Sequence, residues 1–91
     1  MKKESEHLSK NTQLIADIRF NLGQAYAQMG SKQTLLDAIK YYYLAFEKQE
    51  KETDLAYNVY KHKTLFNLGI ALRRKGSPEK SIDVFRKAQN C

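Results

Sequence analysis

Few side chains in this sequence are of the types that carry out chemistry, and their spacing does not group them. His7 and His62 are the two histidines, and neither lies four residues from a carboxylate or thiol, as in a helical zinc motif. Cys91 is the single cysteine, so it can form no internal disulfide, and no histidine lies beside it to activate the thiol. The sequence therefore predicts no catalytic residue, no metal site and no cofactor.

Two other patterns suggest ligand chemistry but have structural explanations. Gly23 and Gly69 stand alone within helical stretches, whereas a phosphate-binding loop needs several glycines between a strand and a helix. Tyr41, Tyr42 and Tyr43 could stack on bases, but three consecutive helical positions spread over about 200° and form no single platform. We expect Tyr42 in the core and its two neighbours at helix edges.

The chain is basic, with a formal net charge of +6. Most lysines are dispersed among glutamates and polar residues, and the one local cluster is Arg73, Arg74 and Lys75. Such a cluster is typical of a solvated helix C-terminus, where cations complement the helix dipole. It is also consistent with an acidic protein partner, whose association it would accelerate. Binding of nucleic acid is the alternative that this charge leaves open.

Length and composition indicate one small helical domain. The 91 residues are 42% hydrophobic, which supports a folded chain, and one proline with four glycines leaves long stretches without a helix breaker. No apolar run approaches the ~20 residues of a membrane span, and the N-terminus lacks the apolar core of a signal peptide. We therefore expect a soluble, intracellular protein with no membrane partner.

The sequence contains an internal repeat. The tetrapeptide Phe-Asn-Leu-Gly occurs at residues 20–23 and again at 66–69, and six of the eleven aligned positions in 20–30 and 66–76 are identical. A repeat of tens of residues indicates a unit that stacks on a copy of itself to bury its apolar face. This organisation favours a binding surface over a reaction centre.

Apolar side chains at three- and four-residue steps predict four helices. The first begins with a cap at Asn11 or Thr12 and ends at Gly30. Its predicted buried stripe is Leu14, Ile18, Leu22, Ala25 and Met29, flanked by Ile15 and Tyr26. The second begins at Thr34, with Asp37 completing a capping box, and ends within residues 48–51. Its apolar positions are Leu35, Leu36, Ile39, Tyr42, Tyr43 and Phe46.

The third and fourth helices form a second hairpin. Thr53 or Asp54 opens the third helix and Gly76 ends it. Its predicted buried side is Leu55, Val59, Leu65, Leu68 and Leu72. Ser77 is the predicted N-cap of the fourth helix, with Pro78 at the first helical position, where no N–H donor is needed. Its predicted inner face is Ile82, Phe85 and Ala88.

These elements resemble the tetratricopeptide repeat family over residues 11–90. In that family a leucine-glycine pair precedes an apolar residue and a closing glycine, and the second helix carries a small, an apolar, an aromatic and an alanine residue. The second unit matches at Leu68, Gly69, Leu72, Gly76, Ser81, Ile82, Phe85 and Ala88. The first matches, with three extra residues in its turn, at Leu22, Gly23, Tyr26, Gly30, Ala38, Ile39, Tyr42 and Ala45. The resemblance implies an all-α fold of two stacked antiparallel helical hairpins.

The spacing departs from that family. Gly23 and Gly69 are 46 residues apart, whereas the family repeats about every 34. We assign the surplus to the first hairpin turn and to residues 47–59, which should lengthen the flanking helices. The resulting organisation is an N-terminal extension at residues 1–10, a first hairpin at 11–52 and a second at 53–90.

The resemblance also implies a binding groove, because the first helices of successive repeats in the family line a concave surface that holds peptides or partner helices. Asparagine amides there can bind a peptide backbone, phenylalanines offer apolar contacts and arginines favour acidic groups. The groove positions here are Asp17, Phe20, Asn21, Gln24, Gln28, Lys63, Phe66, Asn67, Ile70, Arg73 and Arg74. Packing of Phe20 and Phe66 within the fold is the competing explanation for their repetition.

The predicted function is therefore a non-enzymatic protein-interaction module, with a peptide or helix of another protein, of acidic character, as its partner. Two repeats are fewer than the three usually needed for a stable array, and no helix covers the outer side of the fourth helix at Ile82, Val84 and Phe85. The chain is accordingly expected to belong to a larger repeat protein or to self-associate. The alternatives are a basic helical module that binds nucleic acid and a purely structural homo-oligomer.

Overall fold

The computed structural model describes residues 10–91, which form four α-helices. These are α1 (Lys10–Met29), α2 (Lys32–Gln49), α3 (Asn58–Lys75) and α4 (Pro78–Gln89), with a 3-10 turn at Leu55–Tyr57 before α3. Residues 1–9, which include His7 and nearly all of the predicted N-terminal extension, lie outside the described part of the chain. None of the helices from Lys10 onward is long and apolar enough to cross a membrane.

The helices pack as two adjacent hairpins, α1 with α2 and α3 with α4, and the hairpins stack through α2 and α3. The molecule measures 45 × 24 × 14 Å along its principal axes, which is the shape of a stacked array rather than of a round bundle. The shared core is formed by Ala38, Ile39, Tyr42, Leu65, Leu68, Ala71, Leu72, Val84 and Ala88. The predicted all-α fold of two stacked antiparallel hairpins is confirmed.

Glycines end the first helix of each hairpin, as predicted. Gly30 has φ of 84° and Gly76 has φ of 97°, in the left-handed region that residues with a Cβ rarely adopt. At the second turn the Gly76 N–H donates to the carbonyl of Arg73, and the Ser77 N–H donates to that of Leu72 at 2.9 Å. These bonds satisfy carbonyls that the end of α3 would otherwise leave unpaired.

The start of α2 differs from the prediction. Ser31, not Thr34, is the N-cap: the Ser31 hydroxyl accepts from the Thr34 N–H at 3.0 Å, while the Thr34 hydroxyl accepts from the Ser31 N–H at 3.0 Å. This reciprocal pair is a capping box one turn earlier than the one read from the sequence. The three extra residues of the first hairpin therefore extend α2 and do not lengthen the turn.

The segment between the hairpins is a short ordered bend. Helix α2 ends at Gln49, within the predicted interval, and the Asp54 carboxylate accepts from the Ala56 N–H at 3.0 Å to cap the 3-10 turn that leads into α3. The Lys61 ammonium donates to the carbonyl of Glu52 at 2.7 Å and ties the bend to α3. Part of residues 47–59 thus lengthens the helices, and the rest makes this bend.

An aromatic ring from the second helix of each hairpin lies against the glycine in the middle of the first. A Cβ placed on Gly23 would come within 2.6 Å of the Tyr42 ring, and one placed on Gly69 within 2.5 Å of the Phe85 ring. Both distances are far below van der Waals contact, so only glycine allows this approach. The Ser81 hydroxyl adds a buried hydrogen bond of 2.8 Å to the carbonyl of Gly69.

The predicted buried stripe of α1 is wrong, because the helix packs through its opposite side. Ile18 is 60% exposed and Met29 67% exposed, and Leu14, Ile15, Leu22 and Ala25 are exposed with them. The side that packs against the rest of the fold carries Ala16, Phe20, Gly23 and Ala27. The side of α1 with small residues packs against α2 because small side chains allow the two helices to approach closely. The stripe that remains exposed is nevertheless the more hydrophobic one.

Smaller corrections apply to the other helices. Leu55 and Val59 are exposed, because the buried aromatic residue at the start of α3 is Tyr57. Leu65, Leu68 and Leu72 are buried as predicted. On α4 the prediction placed Ile82 on the inner face and Val84 on the outer side. The structure shows the reverse: Ile82 is exposed, and Val84 is buried in the core. In α2, Leu36 and Tyr43 are exposed, whereas Tyr42 is buried and Tyr41 stacks on Tyr26, with ring centroids 5.6 Å apart.

Candidate functional site

The middle of α1 and the first half of α3 border a cleft that we call the α1–α3 cleft. Its volume is about 310 Å³, and its other walls come from the end of α2. It is lined by Asp17, Phe20, Asn21 and Gln24 of α1, Gln49 of α2, and Tyr60, Lys63 and Thr64 of α3. Five of the eleven predicted groove residues are thereby brought together, four from the first repeat and Lys63 from the second.

The floor of the cleft carries two buried polar atoms without a partner. Gln49 is 1% exposed and Thr64 is fully buried, and neither Gln49 Oε1 nor Thr64 Oγ1 makes a hydrogen bond within residues 10–91. A buried acceptor without a donor costs about 1–3 kcal/mol. A hydrogen-bond donor that enters the cleft would therefore find these acceptors already desolvated and uncommitted.

Sequence reasoning missed Gln49, Thr64 and Tyr60. A signal for Gln49 was present, since it continues the buried α2 stripe of Ala38, Tyr42 and Ala45 by one further four-residue step. A polar side chain at the end of an otherwise apolar stripe is a candidate for a buried contact or a ligand contact. Thr64 had a weaker signal, because it occupies the repeat position where the first unit has Ile18.

The repeated asparagines bond to their own helices in the same way. Asn21 Nδ2 donates to the carbonyl of Asp17 at 2.8 Å, and Asn67 Nδ2 donates to the carbonyl of Lys63 at 2.8 Å. Each amide thus uses a donor on the residue one turn earlier, and its oxygen is left to accept from a ligand. The two repeat units therefore share this hydrogen bond as well as their sequence.

The repeated phenylalanines each contact the aromatic residue of their own hairpin. The rings of Phe20 and Tyr42 are 5.8 Å apart and tilted by 48°, and those of Phe66 and Phe85 are 5.9 Å apart and tilted by 52°. Such tilted pairs contribute about 0.5–1.5 kcal/mol beyond the area they bury. Phe20 and Phe66 therefore have a packing role, and Phe20 also forms a wall of the cleft.

Six predicted groove residues lie outside the α1–α3 cleft. Asn67 and Ile70 are half-buried further along α3, and Gln28, Arg73 and Arg74 are exposed towards the ends of their helices. Phe66 belongs to a second, mainly apolar hollow of about 520 Å³ between α3 and α4, which shares Lys63 with the cleft. This second surface, which we call the α3–α4 hollow, is lined by Val59, His62, Lys63, Phe66, Phe85, Ala88 and Gln89.

A polar cluster at the inter-hairpin bend adjoins the cleft. Tyr57 is buried, and its hydroxyl has no hydrogen-bond partner within residues 10–91. Burial raises the pKa of Tyr57, and the neighbouring Asp17, Glu52 and Tyr60 raise it further. Tyr57 consequently stays neutral well beyond physiological pH. The buried Glu52 accepts from the Asp54 N–H at 2.9 Å. The hydrogen bond and the burial hold the bend in place, and they provide no nucleophile.

The remaining candidates for chemistry have structural contacts. His62 is half-buried and its Nε2 lies 3.0 Å from the carbonyl oxygen of Cys91. Within residues 10–91, no three side chains of histidine, cysteine, aspartate or glutamate come together to hold a metal ion.

One of the comparisons with known proteins gives a match, and the match lies in the second hairpin. Residues 62–90, which form most of α3 and all of α4, match the family model of the tetratricopeptide repeat. Neither the curated proteins nor the solved structures compared with the chain gave a match. The first hairpin repeats the features of the matched one: a glycine under an aromatic ring, an asparagine bonded to its own helix and a closing glycine with positive φ.

Proposed function

We propose that this protein binds a partner protein in the α1–α3 cleft, because residues 62–90 match the tetratricopeptide repeat model and the four helices pack as two stacked hairpins. The repeat family is one of non-catalytic protein-interaction modules. The finer proposal is that an extended peptide or a helix of the partner lies between α1 and α3. The observation that carries it is the pair of uncommitted buried acceptors, Gln49 Oε1 and Thr64 Oγ1, on the cleft floor.

The polar floor is suited to a peptide backbone. Backbone N–H groups are donors at regular intervals, and each can satisfy a buried acceptor that now lacks a partner. The oxygens of Asn21 and Gln24, on the α1 wall, supply further acceptors, and Phe20 supplies an apolar surface between them. A bound peptide with polar groups along one side and apolar side chains along the other would match this lining.

The charges around the cleft favour an acidic partner. Lys63 lies in the cleft, and Arg73, Arg74 and Lys75 are exposed in the last turn of the same helix, whereas Asp17 is the single carboxylate in the lining. The whole chain carries a net charge of +6, which would steer an acidic segment towards this side. An intracellular location is part of the proposal and is supported by the single cysteine.

The experiment that tests this function is selection of peptides from a random library, followed by measurement of affinity by fluorescence anisotropy. We expect the wild-type protein to select acidic peptides. Lys63→Glu should weaken their binding by about tenfold or more, since it removes an attraction and adds a repulsion worth about 1.4 kcal/mol or more together. Lys80→Glu is the matched control, because Lys80 is exposed on α4 and makes no contact with the cleft.

Two results would contradict the proposal. One is selection of the same peptides with equal affinity by the wild-type protein and Lys63→Glu. The other is steeply salt-dependent binding to a random DNA duplex with no peptide binding, which would favour the nucleic-acid alternative.

A further inference from the structure

The exposed side of α1 is an apolar strip that nothing in the described chain covers. We call it the α1 strip. It consists of Leu14, Ile15, Ile18, Leu22, Ala25 and Met29, and it contains no charged side chain. From Leu14 to Met29 it runs for about 22 Å, at about 1.5 Å per residue. A continuous apolar strip of this kind on a helix marks a protein contact surface.

The internal repeat shows what such a strip packs against. The second hairpin carries the same positions 46 residues later, as Gly23 and Gly69 show. Ile18, Leu22 and Ala25 therefore correspond to Thr64, Leu68 and Ala71. All three of these α3 residues are buried where α3 packs on the first hairpin. At these three positions α3 forms an interface, whereas on α1 no element within residues 10–91 covers them.

The α3–α4 hollow is the counterpart of the surface that receives α3. By the same repeat, Phe66 corresponds to Phe20, and Phe85 and Ala88 correspond to Tyr42 and Ala45. In the first hairpin this surface is covered, with Tyr42 and Ala45 almost completely buried. In the second hairpin it is open: Phe66 and Val59 are each 55% exposed. The chain thus presents both halves of its own inter-hairpin interface, one at each end.

We propose that a second copy of this chain places its α1 strip on the α3–α4 hollow, so that the array continues from one copy to the next. The contact reproduces between chains the packing of α3 on the first hairpin within the chain. The chemistry of the two surfaces supports this pairing, because the α1 strip is apolar and the hollow is a mainly apolar surface. A two-fold pairing of two α1 strips would leave both hollows uncovered.

A head-to-tail contact does not close on itself in a dimer. The wild-type protein should therefore form species that grow with concentration beyond the dimer, unless the array closes into a ring. Lys63 lines both the hollow and the α1–α3 cleft, whereas Ile18 and Val59 do not line the cleft. Variants at Ile18 and Val59 therefore test assembly without changing the lining of the cleft.

The test is a complementation experiment with two variants, each blocking one half of the contact. Ile18→Glu places a charge on the α1 strip, and Val59→Glu places one in the hollow; both side chains are more than half exposed, so the fold of each variant should be retained. Circular dichroism and a thermal melt check this. Each variant alone should associate on the order of 100-fold more weakly than the wild type, since a carboxylate would be buried in an apolar contact. Lys80→Glu is the control and should assemble like the wild type.

An equimolar mixture of the two variants decides the geometry. Sedimentation velocity should show a one-to-one dimer that grows no further, because the mixture keeps one intact strip and one intact hollow. A wild-type chain that stays monomeric across a wide concentration range would overturn the proposal. Undiminished assembly of Val59→Glu would overturn it as well, since it would point to pairing of two α1 strips.

Discussion

The glycine beneath an aromatic ring is the residue-scale feature that defines each hairpin. Gly23 lies under Tyr42 and Gly69 under Phe85, at distances that exclude even a methyl group. The sequence reveals both glycines as part of the repeated tetrapeptide. The structure adds that each has a specific ring as its partner, so a substitution should act through that ring.

Gly69→Ala tests this contact. Alanine in mid-helix would ordinarily stabilise by about 0.5–1 kcal/mol relative to glycine. Here we expect a net loss of about 1–3 kcal/mol in the free energy of unfolding, because the new methyl group overlaps the Phe85 ring. Urea denaturation measures the change.

The control for that prediction is the double variant Gly69→Ala/Phe85→Leu. If the loss arises from the ring, removal of the ring should make the double variant less destabilised than the sum of the two single variants. Strictly additive effects would show that Phe85 is not the group that the methyl contacts.

At the scale of elements, the two hairpins place the same leucine in opposite environments. Leu22 of α1 and Leu68 of α3 occupy one repeat position, yet Leu22 is 36% exposed and Leu68 is 1% exposed. The difference arises because α2 packs against α3 on this side and no element in the described chain packs against α1 there. Their substitution is a matched comparison within one protein.

Leu68→Ala should lower the free energy of unfolding by about 2–5 kcal/mol, as expected for a leucine in a core. Leu22→Ala should lower it by less than about 1 kcal/mol when measured at low protein concentration, where copies are apart. Equal losses at both positions would mean that the α1 strip is buried in the monomer, contrary to the structure.

The same comparison explains which elements could be predicted from the sequence. Helix existence, the closing glycines and the hairpin pairing follow from periodicity and turn chemistry, both of which are local. The direction in which α1 faces did not follow, because both of its sides are apolar and the less hydrophobic one, with Ala16, Gly23 and Ala27, packs. The start of α2 was missed because Ser31 and Thr34 both fit an N-cap, and hydrogen-bond geometry decides between them.

The candidate site was predictable only in part, for a related reason. Repeat positions grouped Asp17, Phe20, Asn21 and Gln24, and all four line the cleft because they share one side of a single helix. They could not show that α3 approaches α1 near Lys63 rather than near Arg73, because this depends on how the hairpins stack. Nor could they show Gln49, which reaches the cleft from the end of α2.

At the scale of the whole molecule, the chain offers two kinds of surface in different places. The α1–α3 cleft is polar on its floor, with Lys63 and Asp17 as the charged residues of its lining, and it is the proposed site for a partner protein. The α1 strip and the α3–α4 hollow are apolar and complementary, and they are the proposed contacts between copies. The two kinds of surface adjoin on the second hairpin, because Lys63 lines both and Phe66 of the hollow is the repeat equivalent of Phe20 in the cleft.

The central claim is that the α1–α3 cleft holds the partner, and the most direct measurement is chemical-shift mapping by heteronuclear NMR. The probe is an acidic peptide selected from the library, titrated into the Val59→Glu variant so that assembly does not broaden the signals. The largest shifts are expected on the side-chain amide of Gln49 and on the backbone amide of Thr64, which line the cleft and not the hollow. Shifts confined to the α3–α4 hollow or to the exposed side of α4 would contradict it.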